Sequence, residues 1–161
     1  MIKKFNLFFC TLVIVGKIKF APGTIASLVA CLLFLLSINV FDILILFFCT
    51  IVIFCYSFVA INSSLDSFDT NDPHEIVVDE VVGQMLPLLA IPIYETLYLA
   101  PKEYYCVAAF LLFRLFDIWK PFPINYVDNN TKGALGIMLD DIMAAAYTVI
   151  ILTILFFFLG A

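Results

Sequence analysis

The chain has 161 residues, of which 65% are hydrophobic, and its formal net charge is −5. Soluble domains are roughly 45–50% apolar, so this composition predicts an integral membrane protein, and the length fits a single domain over residues 1–161. With only eight Lys and Arg residues and no basic stripe, the sequence argues against nucleic-acid binding.

The N-terminal segment has part of the pattern of a signal peptide. Lys3 and Lys4 precede an apolar run at residues 5–15, but the Gly-Lys-Ile-Lys string at 16–19 offers no small-residue cleavage site. The run is shorter than the roughly 20 residues that a membrane span needs. We therefore expect a retained segment that lies in the membrane interface or enters the membrane only partway.

Five longer apolar segments follow, at about residues 24–40, 43–61, 76–93, 104–118 and 137–159. In a bilayer such segments must be helical, because their backbone groups find no water to bind. Pro87 and Pro92 predict kinks in the third segment. The predicted fold is therefore all-α, a polytopic bundle of about five membrane helices.

If each segment crosses once, the polar motifs described below all fall on one side of the membrane. Of the basic residues that lie between or beside the five longer segments, only Lys102 falls on the other side. Those on the motif side are Lys17, Lys19, Arg114, Lys120 and Lys132. The positive-inside rule places the motif side in the cytoplasm. Most acidic residues share that side, and because acids contribute little to orientation, their clustering needs another cause.

The string Asp-Pro-His-Glu at 72–75 has the pattern of a helix start. Asp72 would be the N-cap, Pro73 the first helical residue and Glu75 the third, as in a capping box. We expect capping to be the main role of Asp72 and Glu75. His74 would be solvated in the first exposed turn.

Asp79 and Glu80 would then lie about two turns into that helix. Ionised carboxylates beside lipid cost a few kcal/mol each, so either they snorkel or form ion pairs, or they serve a function. Adjacent side chains differ by about 100° around a helix, so the two cannot share one direction: one could bind a metal ion while the other holds water or a neighbouring base. Gly83, one turn later, would let another helix approach closely.

Arg114, Asp117 and Lys120 have the spacing i, i+3, i+6 and would share a helical face. They could form ion pairs worth a few tenths of a kcal/mol each. Alternatively, Arg114 and Lys120 bind phosphate, since arginine offers a bidentate fork, and Asp117 binds a metal ion or orients Arg114.

Asp140 and Asp141 follow Gly133 and Gly136 at the predicted start of the last helix. They could cap that helix through its macrodipole. They could also supply oxygen ligands, because Mg²⁺ takes octahedral oxygen ligands and usually keeps water and substrate phosphate among them. One or two carboxylates from each of two helices would suffice.

The turn Ala21-Pro22-Gly23-Thr24 precedes the first long segment. It would open a helix with free N–H groups, and helix N-termini bind anions. Thr24 could cap this helix or contact a phosphate.

Together these motifs resemble those of the phosphatidylglycerophosphatase A family. The matching strings occur in family order and cover nearly the whole chain: A-P-G-T at 21–24 with Ser27, I-V-V-D-E at 76–80 with Gly83, F-R-L-F-D-I-W-K-P at 113–121 and G-I-M-L-D-D at 136–141. The third and fourth strings are the most specific.

The resemblance implies a Mg²⁺-dependent lipid phosphatase of the bacterial inner membrane. It would hydrolyse phosphatidylglycerophosphate to phosphatidylglycerol and inorganic phosphate. On this hypothesis Asp79, Glu80, Asp140 and Asp141 hold Mg²⁺, with Asp117 as a further catalytic carboxylate and possible ligand. Arg114, Lys120 and Thr24 contact the substrate. Glu80 or Asp141 could be the base instead of a ligand.

Two other classes of function compete with this prediction. A non-enzymatic divalent-cation carrier or channel subunit also places carboxylates in apolar helices, but its acids should lie near mid-membrane or on both sides. A transferase that joins a lipid headgroup to a diacylglycerol carrier would need a D-G-x2-A-R string, which the sequence lacks.

Overall fold

The helices of this chain are described by a computed structural model that covers residues 2–68, 73–98 and 101–159. Within these ranges there is no β-strand, which confirms the predicted all-α class. Short 3-10 turns occur at Val15–Lys17 and Leu65–Ser67. The α-helices are α1 (Ile2–Cys10), α2 (Pro22–Ser37), α3 (Ile43–Ser64), α4 (Val78–Leu89), α5 (Ile91–Tyr98), α6 (Lys102–Trp119), α7 (Ile124–Asn130) and α8 (Gly133–Leu159).

Two stretches of the described chain are long and apolar enough to cross a membrane. They are Ile43–Ser67, with 25 residues and a mean hydropathy of 2.7, and Gly133–Phe158, with 26 residues and a mean hydropathy of 2.2. Helix α2 is apolar but has only 16 residues. The prediction of about five membrane helices is therefore not confirmed: the third predicted segment is divided, and the fourth carries charged residues at both ends.

The third predicted segment forms two helices instead of one. Helix α4 ends at Leu89 and α5 begins at Ile91, with Ala90 between them. Pro87 and Pro92 flank this junction and cannot donate the backbone hydrogen bonds of a continuous helix. The predicted kinks thus take the form of an interruption between two helices.

Helix α4 lies at the centre of the packing and contacts α2, α3, α6 and α8. Gly83 allows the close approach of α6 and α8, because a Cβ atom there would lie 2.8 Å from the Phe113 ring on α6 and 3.0 Å from Cβ of Asp141 on α8. The close helix approach predicted at Gly83 is confirmed. It brings the acidic ends of α4 and α8 together.

Helix α1 packs against α3. Asn6 is buried there, and its Oδ1 accepts a 2.6 Å hydrogen bond from the Tyr56 hydroxyl. The backbone N–H of Val77 donates to the carbonyl of Cys10 at 2.9 Å, which ties the end of α1 to the start of α4. The expected location of α1, in the membrane interface or partway into the membrane, stays a prediction.

The predicted helix start at residues 72–75 is wrong, because α4 begins at Val78. Residues 73–77 form a turn in which the Ile76 N–H donates to the Pro73 carbonyl. A Cβ atom on Gly16 would lie 1.9 Å from the Glu75 carbonyl oxygen, so this turn is packed against the segment after α1. Glu75 therefore does not cap α4. His74 is exposed, as expected, and Asp72 lies outside the described residues.

Candidate functional site

A cleft of about 330 Å³ lies between the N-terminal parts of α4 and α8 and the C-terminal end of α6. We call it the carboxylate cleft. His74 and apolar side chains complete its wall. Its charged lining residues are Asp79, Glu80, Arg114, Asp117, Lys120, Asp140 and Asp141. The structure thus brings together seven charged residues from three separate parts of the sequence.

Asp79 and Glu80 lie in the first turn of α4, not two turns into it, because that helix starts later than predicted. Both side chains line the carboxylate cleft, and the division of roles between them stays a prediction. Asp79 is only 9% exposed.

Gly23 is a site residue that sequence reasoning assigned only to a turn. A Cβ atom there would lie 2.0 Å from Oε1 of Glu80 and 3.2 Å from Nη1 of Arg114. The first turn of α2 therefore packs directly on these two side chains. Its neighbour Thr24 is half-buried and is not among the residues lining the cleft, so its substrate contact stays a prediction.

This contact makes Gly23→Ala a test of how Glu80 is positioned. The added methyl group would displace the Glu80 carboxylate, so we expect phosphate release to fall by about tenfold or more, on the scale of a positional error near the chemistry. The measurement is inorganic phosphate release from phosphatidylglycerophosphate, the substrate that the sequence resemblance implies. Glu80→Asp in the same chain shortens the clashing side chain. If Gly23→Ala keeps full activity, Glu80 does not need its observed position.

Asp140 and Asp141 are the eighth and ninth residues of α8, because that helix begins at Gly133. The capping interpretation is therefore wrong, since the macrodipole acts mainly on the first turn. Asp140 is 8% exposed and Asp141 is 2% exposed. Two neighbouring carboxylates buried two turns inside an apolar helix need a compensating partner.

Lys120 is one such partner, although it does not continue the helical face of Arg114 and Asp117. It adopts a left-handed backbone conformation (φ 45°) just after α6. Its Nζ donates to Oδ2 of Asp140 at 2.6 Å and to Oδ1 of Asp128, on α7, at 2.7 Å. Sequence reasoning missed Asp128, whose only signal was an acid in a connecting segment.

These contacts keep Lys120 charged. Partial burial by itself would lower the pKa of Lys120, but the hydrogen bonds that Lys120 donates to Asp128 and Asp140, and the negative charges of these two acids, outweigh it and raise the pKa above its ordinary value. Lys120 therefore supplies a permanent positive charge beside Asp140 at neutral pH.

Arg114 pairs with Asp117, whose Oδ2 lies 2.6 Å from its Nη1. The ion pair predicted from the i, i+3 spacing is thus present. The buried Nε of Arg114 has no hydrogen-bond partner among the described residues. Arg114 therefore keeps a donor for a further acceptor, such as a phosphate oxygen.

Several buried carboxylate oxygens also lack hydrogen-bond partners within the described ranges. They are Oδ1 of Asp79, Oε2 of Glu80, Oδ1 of Asp140 and Oδ2 of Asp141. An unsatisfied buried charge is costly, and buried charges are normally paired or coordinate metals. Clustered carboxylate oxygens are the donors that Mg²⁺ prefers, so the residues present fit a hard divalent cation.

A second cleft, of about 380 Å³, borders the first and is called the basic cleft below. It is lined by Lys17 and Lys19 from the segment before α2, together with Gly16, Ile18, Pro22, His74 and Glu75. His74 lines both clefts. Both lysines are exposed, so an anion that enters the basic cleft from solvent could contact them.

Known proteins resemble this chain over most of its length. The family model for phosphatidylglycerophosphatase A matches residues 8–156. The phosphatidylglycerophosphatase A of Haemophilus influenzae is 36% identical over 136 residues, which cover 84% of this chain and 79% of that protein. The Escherichia coli protein of that name is 32% identical over 134 residues, covering 80% and 70%.

A protein of Bacteroides thetaiotaomicron described as a putative phosphatidylinositol-3-phosphatase is 35% identical over 142 residues, which cover 86% of each chain. No solved structure matches the chain significantly. The family model spans every residue of the carboxylate cleft. The chain therefore belongs to the phosphatidylglycerophosphatase A family.

Proposed function

We propose that this protein is a Mg²⁺-dependent lipid phosphatase of the bacterial inner membrane, with its site on the cytoplasmic side. It hydrolyses phosphatidylglycerophosphate to phosphatidylglycerol and inorganic phosphate. Family membership supports the reaction. The observation that carries the proposal is the carboxylate cleft. It is lined by Arg114, Lys120 and acidic side chains, several of whose oxygens have no hydrogen-bond partner among the described residues.

In this proposal Asp79, Glu80, Asp140 and Asp141 hold Mg²⁺, which supplies Lewis-acid polarisation of a phosphoryl oxygen when bound. Arg114 directs its free donor at the phosphate and offsets the negative charge that the group carries during transfer. Asp117 orients Arg114 through their ion pair. Lys120 holds Asp140 in place and adds positive charge. Glu80 or Asp141 takes the proton from the attacking water if it is not a ligand.

The decisive experiment is inorganic phosphate release from phosphatidylglycerophosphate in mixed micelles, with Mg²⁺ or with EDTA. We expect release with Mg²⁺ and almost none with EDTA, because the acidic oxygens would then repel the phosphate instead of binding it through a cation. Restoring Mg²⁺ should restore the rate. Equal rates in EDTA would remove Mg²⁺ from the proposal, and no release under any condition would remove the substrate.

The position of the acids favours an enzyme over a cation carrier. Within the described ranges, the buried acidic residues are Asp79, Asp140 and Asp141, and all three line one cleft. A carrier should instead place acids along a path through the apolar helices. Uptake of Mg²⁺ into proteoliposomes without any lipid hydrolysis would reverse this choice.

The basic cleft provides a test of headgroup selectivity. Phosphatidylglycerophosphate carries a phosphodiester besides its terminal phosphate, whereas phosphatidic acid carries only one phosphate. If Lys17 and Lys19 bind the phosphodiester, Lys17→Gln with Lys19→Gln should raise KM for phosphatidylglycerophosphate about tenfold, equivalent to roughly 1.4 kcal/mol. KM for phosphatidic acid should change much less.

Lys132→Gln is the matched control, because Lys132 is exposed and lies outside the basic cleft. An equal rise in KM for both substrates would instead assign the two lysines to general attraction toward anionic lipids, worth about 1 kcal/mol per residue.

A further inference from the structure

The carboxylate cleft contains two groups of acids, not one. Asp79, Glu80 and Asp141 offer ligand atoms that all lie within 4.8 Å of one another. Asp117, Asp140 and Asp141 do the same. Asp141 belongs to both groups. The other members of the first group lie on α4, and those of the second lie on α6 and α8. Each group therefore has to be compared separately with what a cation requires.

Each group has the dimensions of a magnesium coordination shell. Mg²⁺ holds its ligands at 2.0–2.1 Å in octahedral geometry, so opposite ligands lie about 4.2 Å apart and adjacent ones about 3 Å apart. Three oxygens within 4.8 Å of one another can approach this arrangement with small side-chain movements. Three further positions would remain for water and phosphate oxygens.

An independent observation points to ligands at both groups. Asp79 Oδ1 and Glu80 Oε2 are buried oxygens of the first group without a hydrogen-bond partner in the described chain. Asp140 Oδ1 is one in the second group, and Asp141 Oδ2 is one in the shared residue. The three aspartates are all more than nine-tenths buried. Each group thus has an unsatisfied oxygen of its own.

The charge balance of the cleft also exceeds what one cation neutralises. Lys120 pairs with Asp128 and Asp140, and Arg114 pairs with Asp117. Asp79, Glu80 and Asp141 bring the number of acids to six. Together with the two bases, they have a formal charge of −4. A phosphomonoester adds nearly two further negative charges. One divalent cation would leave the cleft negative before the substrate arrives, whereas two would neutralise it.

We infer that the carboxylate cleft binds two divalent cations, one at each acidic group, with Asp141 as the ligand common to both. The inference rests on the proposed function and specifies it. It gives Asp117 a second role, as a ligand as well as the partner of Arg114. Paired-cation sites of phosphatases have ions about 3.5–4 Å apart, which a shared carboxylate can accommodate.

The test is Mn²⁺ binding to the full chain in detergent, followed by electron paramagnetic resonance in the absence and presence of inorganic phosphate. We expect two Mn²⁺ per chain, with a spectrum broadened by coupling between neighbouring ions. Asp79→Asn and Asp140→Asn should each retain one ion with an uncoupled six-line spectrum. Asp141→Asn should weaken both sites by at least about tenfold.

Asp66→Asn is the matched control, because Asp66 is an exposed acid outside the cleft, and it should keep two coupled ions. If Asp79→Asn fails to fold, as judged by size-exclusion elution and circular dichroism, Glu80→Gln tests the same group. A single uncoupled Mn²⁺ in the wild type, with and without phosphate, overturns the inference. So do two ions whose binding is unchanged in Asp141→Asn.

These failures are distinguishable from failure of the proposed function. A wild type that binds one cation and still releases phosphate in a Mg²⁺-dependent manner keeps the proposed function and loses only the second site. A wild type that binds two coupled cations but releases no phosphate keeps the two-cation site and loses the proposed reaction.

Discussion

Asp141→Asn is expected to reduce phosphate release by on the order of 10³-fold, about 4 kcal/mol of transition-state stabilisation. Asp141 is 2% exposed and belongs to both acidic groups of the cleft. The amide keeps the size of the side chain but removes its charge and one of its two acceptor oxygens. Phosphate release from phosphatidylglycerophosphate at saturating Mg²⁺ measures the loss.

Two aspartates provide graded comparisons with the same substitution. Asp66→Asn lies on an exposed surface and should change the rate by no more than about twofold, as surface substitutions usually do. Asp128→Asn removes a partner of Lys120 without touching the acidic groups, so its loss should be intermediate. If Asp141→Asn behaves like Asp66→Asn while the protein remains folded, the carboxylate cleft is not the catalytic site.

Arg114→Lys is expected to reduce kcat by on the order of 10²-fold with a smaller change in Mg²⁺ requirement. Arg114 is the only arginine in the sequence, and its buried Nε has no hydrogen-bond partner in the part of the chain that the structure describes. Lysine keeps the charge but loses the planar fork that could bind phosphate and Asp117 together. The measurement is kcat and KM at several Mg²⁺ concentrations.

A stability control separates catalysis from folding at this ion pair. Arg114→Gln leaves Asp117 as an unpaired, largely buried charge, and breaking such a pair costs about 3–5 kcal/mol when burial is complete. The double variant Arg114→Gln with Asp117→Asn removes both charges, so thermal stability should recover while phosphate release stays low. Recovery of activity together with stability would make Arg114 a structural residue.

The apolar segments could be predicted from the sequence because membrane insertion depends on composition and length. The predicted segments at 43–61 and 137–159 correspond to α3 and α8, which are the two candidate spans. The predicted ends of the helices are less accurate. Glycine at 133 and 136 suggested a late start for α8, yet the helix begins at Gly133, where the packing of Gly136 against the Thr131 carbonyl requires a residue without a Cβ atom.

The start of α4 shows why local signals can fail. Asp72, Pro73 and Glu75 have the residue types of a helix start, but contacts with Gly16 and Cys10 hold residues 73–77 in a turn. These partners are more than 50 residues away in the sequence. A long-range packing contact therefore overrides a local propensity worth only about 1 kcal/mol.

The sequence by itself determined the residue types of the site, because charges in an apolar chain are few and their cost confines them to places where they are used. It also determined the family, through ordered strings that include Asp79, Arg114 and Asp141.

Only the tertiary structure decided how those residues meet. It showed that Asp79 and Glu80 share one cleft, that Gly23 packs on Glu80, that Lys120 bridges Asp128 and Asp140, and that Asp141 belongs to two acidic groups. These contacts join α2, α4, α6, α7 and α8 across long sequence separations. Periodicity within a helix cannot specify them, since they depend on how closely neighbouring helices pack.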